Sequence, residues 1–201
     1  TPKDVDWIEI DNSAFGAIFD HDDHDFMMRY TRYKEKELPV EDLTYAHIMK
    51  NELIYTILLD IFVGKSSSNY ETLLAKGYIN DSFGMDVTIE SDYGFILLGG
   101  NTKFPTEFTT TIQQMIVEAS SQKVDVADFN RTKKQIIGSF IQALNSLEYI
   151  ANQFTKYYFT NTSLFDVLDI ASTIMIEDIE QAYQTINKPD QLTSYIIYPK
   201  T

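Results

Sequence analysis

The chain contains no cysteine, so it can form neither a disulfide framework nor a thiolate metal site. A reducing compartment is the simpler expectation, and we predict a cytoplasmic protein. No apolar run approaches the roughly 18 residues that would suggest a membrane-spanning helix, and no signal sequence is visible. The chain begins at Thr1 without an initiator Met, which indicates a processed chain or a piece of a longer protein.

Basic residues are scarce in this sequence. Thirty Asp and Glu residues oppose 16 Lys and Arg residues, which gives a formal net charge of −14 at pH 7. Such a chain repels phosphate groups, so we exclude nucleic-acid binding and docking on an anionic membrane. Hydrophobic residues make up 44% of the 201 residues, which is enough for a buried core of useful size.

Hydrophobic periodicity predicts an α+β fold. Alternating apolar residues predict strands at 26–34, 82–90, 93–99 and 192–198. The middle two strands are predicted to form an antiparallel hairpin with one solvent-exposed face. Helical spacing predicts helices at 39–64, 105–122, 163–170 and 176–186, with a short one before Gly77. This order indicates a mainly antiparallel sheet with long helices packed on one face. We expect a linker segment over residues 1–25 and a single α+β module over residues 26–201.

The longest helical pattern covers residues 125–159 without a proline, and Asp125 is suited to cap its start. Asn145 and Ser146 interrupt good helix formers, because their side chains compete for backbone hydrogen bonds. We predict structural roles for Asn145, Ser146 and Glu148, with Asn145 satisfying buried backbone groups. The apolar positions have the spacing of a stripe that packs on a flat surface: Phe129, Ile136, Ile137, Phe140, Ile141, Leu144, Leu147, Ala151, Phe154 and Tyr158.

Two histidines stand among carboxylates in the string HDDHD at residues 21–25. Imidazoles and carboxylates suit zinc, which makes His21 and His24 candidate metal ligands. They lack an obvious third ligand and supporting hydrogen bonds, so a solvated acidic turn is the favoured interpretation. An independent metal-dependent enzyme that uses both histidines is the alternative hypothesis.

A third histidine, His47, lies near the edge of the apolar stripe of a predicted helix. In the zinc motif H-x-x-E-H, a Glu and a second His follow three and four residues later, but this chain has Lys50 and Asn51 there. We therefore predict a partly buried structural histidine. The string GKS at residues 64–66 does not form a phosphate-binding loop, because Leu59 stands where the first glycine of that motif is required.

Several strings together resemble one family. They are GKSSSNY (64–70), INDSF (79–83), LGGNT (98–102), ALNSLEYIANQF (143–154), LFD (164–166) and IYP (197–199), with Leu73 and Gly77. This set is similar to the non-catalytic, C-terminal half-module of the pitrilysin or insulinase type of zinc metallopeptidases, in its bacterial processing-peptidase-like branch. The Asn-Ser-x-Glu stretch at 145–148 is the most specific part of the resemblance.

The resemblance implies a fold that occurs twice per functional unit, with two copies closing around a peptide substrate. One copy carries H-x-x-E-H and a distant Glu and binds zinc. This chain lacks that motif, so the resemblance implies no catalytic, cofactor-binding or metal residue here, and zinc in an N-terminal module of the parent protein. In many relatives the second module also supplies an Arg and a Tyr that hold the substrate. Leu74 stands at the Arg position and Asn80 near the Tyr position.

Two functions are consistent with the resemblance. The favoured one is a non-catalytic domain that walls the peptide chamber of a zinc metallopeptidase, opposite an N-terminal catalytic module or a partner subunit. The alternative is a module of a degenerate, non-proteolytic subunit that binds peptides or supports assembly. The presence or absence of H-x-x-E-H in the N-terminal module distinguishes the two.

Overall fold

The structure is a computed structural model that describes residues 24–31, 45–89, 94–159, 163–188 and 192–197. Its strands are β1 (His24–Thr31), β2 (Gly84–Ile89), β3 (Gly94–Thr102) and β4 (Leu192–Ile197). Its helices are α1 (Tyr45–Val63), α2 (Ser68–Ala75), α3 (Pro105–Ser121), α4 (Val126–Ala143), α5 (Leu147–Phe159), α6 (Asp166–Thr173) and α7 (Ile176–Ile186).

The strands form one sheet in the order β2-β3-β1-β4, and every neighbouring pair is antiparallel. The first strand in sequence therefore lies inside the sheet, where it pairs with both β3 and the last strand, β4. Strands β2 and β3 form the predicted hairpin, in which Val87 faces Ile96 and Asp86 faces Leu97. These pairings confirm the α+β fold with a mainly antiparallel sheet.

The two faces of the sheet differ in burial. Ile89, Ile96 and Leu98 belong to the hydrophobic core, and Leu192 and Ile196 pack against it. Successive side chains of a strand point to opposite faces, so the residues between these positions lie on the face turned away from the helices. The described helices cover one face, as the sequence predicted, and we call the face turned away from them the open face.

Helix α1 is the most deeply buried helix of the described chain, because it contacts β2 as well as α4, α6 and α7. Residues from most of its circumference are buried, which is typical of a helix enclosed by other elements. Helices α3 and α7 pack against each other and complete the core. The buried apolar residues of α1 are Met49, Ile54, Tyr55, Ile57, Leu58, Leu59, Phe62 and Val63.

The prediction of one continuous helix over residues 125–159 is wrong. Asp125 does cap the start of α4, accepting hydrogen bonds from the backbone N–H groups of Ala127 and Asp128 at 2.8 and 3.0 Å. However, α4 ends at Ala143, and α5 begins at Leu147. The break falls at the Asn-Ser pair, where side chains that bond to nearby backbone replace helical hydrogen bonds.

The predicted stripe is buried over only part of its length. Phe129 is buried, whereas the stripe residues of α5 face outward, with Leu147 at 84% and Tyr158 at 70% exposure. The rings of Phe154 and Tyr158 stack at a centroid distance of 6.3 Å. The expectation that the whole stripe packs on a flat surface is therefore wrong for α5, whose apolar face the break separates from that of α4, and for Ile141 near the end of α4, which is half-exposed. Within the described ranges, no helix has the length and apolar character needed to cross a membrane.

Candidate functional site

The loop before β2 contains Asn80, which the family resemblance puts near the position of the substrate-holding Tyr of many relatives. The Asn80 Oδ1 accepts hydrogen bonds from the Ser82 backbone N–H at 2.8 Å and from the Ser82 hydroxyl at 2.7 Å. Its Nδ2 donates to the Asn101 carbonyl oxygen at 3.1 Å, and the Asn101 N–H donates to Ser82 Oγ at 2.7 Å. Asn80 thus joins this loop to the end of β3, with both ends of its amide engaged.

The position that the resemblance matches to the relatives' Arg lies at the end of α2. Leu74 is half-exposed there, and its side chain has no polar atom with which to bind a substrate. Gly77 follows with a φ of 70°, and the Tyr78 N–H donates to the Leu73 carbonyl oxygen at 3.0 Å. Glycine suits this left-handed position, which closes the helix C-terminus. The local fold of this region is therefore regular, and neither Leu74 nor Asn80 offers the guanidinium or phenol group that the resemblance leads us to expect.

The open face carries a mixed set of side chains. Phe95 and Leu97 of β3 are partly buried, and Asp86 on the neighbouring edge strand β2 is exposed. Tyr195 of β4 is half-exposed on the same face. Because β2 is an edge strand among the described residues, its outer backbone groups can pair with an extended peptide. The open face can therefore contact a peptide through apolar, aromatic and backbone groups.

A cleft of about 270 Å³ lies between helices α1, α4, α5 and α6. The Glu52 carboxylate lies on one wall, 3.3 Å from the ammonium group of Lys156. Tyr149 and Tyr157, both from α5, also line the cleft. The other lining residues come from the surrounding helices and are mostly apolar: Met49, Leu53, Thr56, Ile136, Ile137, Ser139, Phe140, Ala143, Val167, Leu168 and Ala171.

Burial raises the pKa of both cleft tyrosines above its ordinary value. It raises the pKa of the Tyr157 hydroxyl strongly, and the Glu52 carboxylate and Tyr149 raise it further. Burial also raises the pKa of Tyr149, again with a contribution from Glu52. Removing a proton from either phenol would place a second negative charge near Glu52 in a partly buried space. Both hydroxyls therefore retain their protons and can donate as well as accept hydrogen bonds.

The chain should lose stability at alkaline pH, in part because of Tyr157. The unfolded phenol has a pKa of about 10, below that of the folded one, so the folded state binds the proton more tightly. This contribution is complete below pH 10 and decreases as the pH rises above it. Tyr157→Phe should therefore show a smaller fall in the urea midpoint between pH 7 and pH 10.5 than the unsubstituted chain. Tyr158→Phe is the matched control, since Tyr158 is mostly exposed; a Tyr157→Phe variant that loses as much as this control contradicts the prediction.

The predicted metal ligands fall in part outside the described structure. His21 lies outside the described residues, and His24 begins β1 without a described side chain, so their role stays a prediction. Within the described ranges, no group of three His, Asp or Glu residues is placed to hold a metal ion. On α1, Lys50 stands where the family's zinc motif has a Glu, and its ammonium group forms an ion pair with Asp178 at 3.4 Å. An ammonium group is not a zinc ligand, so these residues do not fit the family's zinc ion.

The structure corrects the interpretation of His47, which is exposed rather than partly buried. It lies in the first turn of α1, before the buried part of that helix begins at Met49. The ends of a helix often extend beyond the core. Apolar periodicity alone does not show at which residue of the helix other elements begin to bury it.

The Asn145–Ser146 pair forms the junction between α4 and α5. Asn145 is exposed and donates from Nδ2 to the Gln142 carbonyl oxygen at 3.1 Å, so it bonds to the end of α4 rather than to buried groups. The Ser146 hydroxyl accepts from the Tyr149 N–H at 3.2 Å, which caps α5. Glu148 is exposed in the first turn of α5, where its charge favours the positive helix end.

Sequence reasoning missed the cleft residues Tyr149 and Tyr157. The sequence signal that could have identified them is that α5 carries the polar groups of Tyr149, Lys156 and Tyr157 in addition to its apolar residues. No local pattern, however, pairs that helix with Glu52 on α1.

Comparisons with known proteins agree with the fold. No family model matches the chain. A Bacillus subtilis (strain 168) protein named the uncharacterized zinc protease YmfH is 40% identical over 158 residues, which are 77% of this chain and 36% of that protein. A structure described as an M16-like peptidase from Alicyclobacillus acidocaldarius has a TM-score of 0.76 and 21% identity, covering 90% of this chain and 42% of that one.

A single-module structure is also similar. The inactive peptidase domain of a zinc protease from Bordetella parapertussis has a TM-score of 0.68 and 13% identity, and the match covers 90% of this chain and 94% of that domain. By contrast, the chain spans 36% of YmfH and 42% of the Alicyclobacillus protein. The relative is named a zinc protease and the solved structures are peptidases of the M16-like type, so this chain has the fold of a half-module of the pitrilysin type of metallopeptidases.

Proposed function

We propose that this chain is the non-catalytic C-terminal domain of a zinc metallopeptidase. Residues 26–201 form its half-module, and the open face of the sheet walls a peptide chamber opposite a zinc-binding N-terminal module. The observation that carries the proposal is the 40% identity to a protein named a zinc protease, in a chain whose α1 has Lys50 and Asn51 where the zinc motif needs Glu and His.

The remaining parts of the proposal follow from this division of roles. Zinc resides in the N-terminal module of the parent protein, or in a partner subunit, and the substrate is a peptide. The open face supplies apolar and backbone contacts, while Leu74 and Asn80 contribute no charge to the chemistry. We place the parent protein in the cytoplasm, since a chain of 201 residues without cysteine fits a reducing compartment.

The proposal predicts that catalysis requires the parent protein. The purified chain with added zinc should not cleave a panel of peptides, because it lacks the family's zinc ligands. The full-length parent should cleave members of the same panel and lose that activity in the presence of a chelator. A parent variant without its zinc-binding histidines is the control. Steady, chelator-sensitive cleavage by the isolated chain would overturn the proposal.

A degenerate, non-proteolytic parent is the second candidate. The similar Bordetella parapertussis structure is described as an inactive peptidase domain, so this fold exists without activity. The replacement of the relatives' Arg and Tyr by Leu74 and Asn80 also fits this candidate. An N-terminal module without H-x-x-E-H, together with peptide binding that is not followed by cleavage, would favour it over a peptidase.

A further inference from the structure

The cleft between α1, α4, α5 and α6 has the properties of a binding site, and every described residue of its lining belongs to a helix. It is thus separate from the open face of the sheet, which the proposed function assigns to the peptide. Its volume of about 270 Å³ is larger than the roughly 150 Å³ that holds a benzene molecule in an engineered apolar cavity. It lies just below the range of roughly 300–1,000 Å³ that is typical of sites for drug-sized ligands. A molecule of about two fused rings fits this space.

The walls favour an aromatic ligand. Three of the lining side chains are rings, those of Phe140, Tyr149 and Tyr157, and aromatic groups interact well with one another in offset or edge-to-face contacts. Aliphatic side chains such as Leu53 and Ile136 complete the apolar surface. A mostly apolar pocket with a few convergent polar groups is the usual form of a small-molecule site.

The charges in the cleft favour a neutral ligand. The Glu52 carboxylate is paired with Lys156 at 3.3 Å, so the local charge is already balanced. A cationic ligand would compete with Lys156 for Glu52, and an anionic one would face the Glu52 carboxylate, so a charged ligand is disfavoured in both cases. The Thr56 hydroxyl already donates to the Glu52 carbonyl oxygen at 2.7 Å. Tyr149 presents a phenol hydroxyl from the α5 wall, with which a ligand can exchange a hydrogen bond.

We propose that this cleft binds a neutral aromatic molecule of about two fused rings that carries one hydroxyl or N–H group, with Tyr149 as the hydrogen-bond partner. The ring system lies between the aliphatic residues of α1 and α4 and the tyrosines of α5. The junction at Ser146 matters for this site, because its hydroxyl accepts a hydrogen bond from the Tyr149 N–H and so fixes the start of the helix that carries both tyrosines.

The test uses the full-length parent protein and two neutral probes, 2-naphthol and naphthalene, whose binding is followed by their own fluorescence. Saturable binding of both probes at one site per chain is expected. Tyr149→Phe should weaken 2-naphthol binding by roughly 2- to 10-fold, the effect of one hydrogen bond, and should leave naphthalene binding unchanged. Equal effects on the two probes would overturn the role of Tyr149.

Two variants fill the cleft from different sides. Ala143→Phe places a ring in the cleft from the α4 wall. Leu168→Trp places a larger side chain at the partly exposed rim of the cleft, where it does not overpack the core. Both should weaken binding of either probe about tenfold or more. Val126→Phe, at the exposed start of α4, is the control and should bind both probes as tightly as the unsubstituted protein does. Absence of saturable binding in the parent, or unchanged binding in both filling variants, would overturn the proposal whether or not the parent is a peptidase.

Discussion

Phe108→Ala should reduce the free energy of unfolding by about 3–5 kcal/mol, the typical loss for a buried aromatic residue. Phe108 on α3 is 1% exposed, and its ring meets that of Phe83 edge-on at a centroid distance of 6.0 Å. Truncation removes the buried apolar surface, leaves a cavity and breaks this ring contact. The midpoint of urea unfolding, followed by far-UV circular dichroism, measures the loss.

Phe165→Ala is the matched control for Phe108→Ala. Phe165 is 67% exposed, so the same substitution removes little buried surface and should change the free energy of unfolding by less than about 0.5 kcal/mol. Phe83 joins the ring of Phe108 to that of Tyr70, which lies 6.1 Å away. These contacts connect the beginning of the hairpin to α2 and α3. If Phe108→Ala and Phe165→Ala lost similar amounts of unfolding free energy, the prediction that Phe108 is a core residue would be contradicted.

The elements of this fold could be predicted because their signals are local. The alternation of Val87 and Ile89 with polar neighbours identifies a half-buried strand, and the short connection to the next strand favours an antiparallel hairpin. The stop at Gly77 was also readable, because glycine adopts the positive φ that closes α2. In each case one short stretch of sequence contains the whole physical cause.

The break between α4 and α5 could not be predicted in the same way. Leu144 and Leu147 continue the apolar spacing across it, so periodicity favours one long helix. The capping hydrogen bonds of Asn145 and Ser146 favour a break instead. Each such hydrogen bond has a net effect on stability of about 1 kcal/mol. When two local preferences are so nearly balanced, tertiary packing decides the outcome, and packing is not visible in one sequence.

The cleft depends on tertiary structure even more directly. Glu52 belongs to α1, whereas Lys156 and the cleft tyrosines belong to α5, and these helices are far apart in sequence. Helical periodicity assigns Glu52 to a face of its own helix and carries no information about the helix that covers it. The resemblance to a peptidase family directs attention to the zinc motif and the sheet, and this site lies in neither.

Gly100→Ala should destabilise the chain by about 1–3 kcal/mol, because an added methyl group would collide with backbone. A Cβ at this position in β3 would lie 2.8 Å from the Cα and 3.0 Å from the N of Phe83. Backbone atoms cannot rotate away as a flexible side chain can. The loop that Asn80 and Ser82 tie to Asn101 would therefore have to shift. Thermal unfolding of the purified variant should show a lowered midpoint.

Gly138→Ala provides the matched control for Gly100→Ala, since both replace glycine with the same residue. Gly138 lies inside α4, and an added Cβ there meets nothing within 4 Å. Alanine is favoured over glycine in a helix interior by roughly 0.5–1 kcal/mol, so this variant should unfold at a higher temperature than the unsubstituted chain. The two substitutions should thus shift the midpoint in opposite directions. A Gly100→Ala midpoint equal to or above that of the unsubstituted chain would contradict the close approach of β3 to the loop before β2, and with it the Asn80 network that depends on this approach.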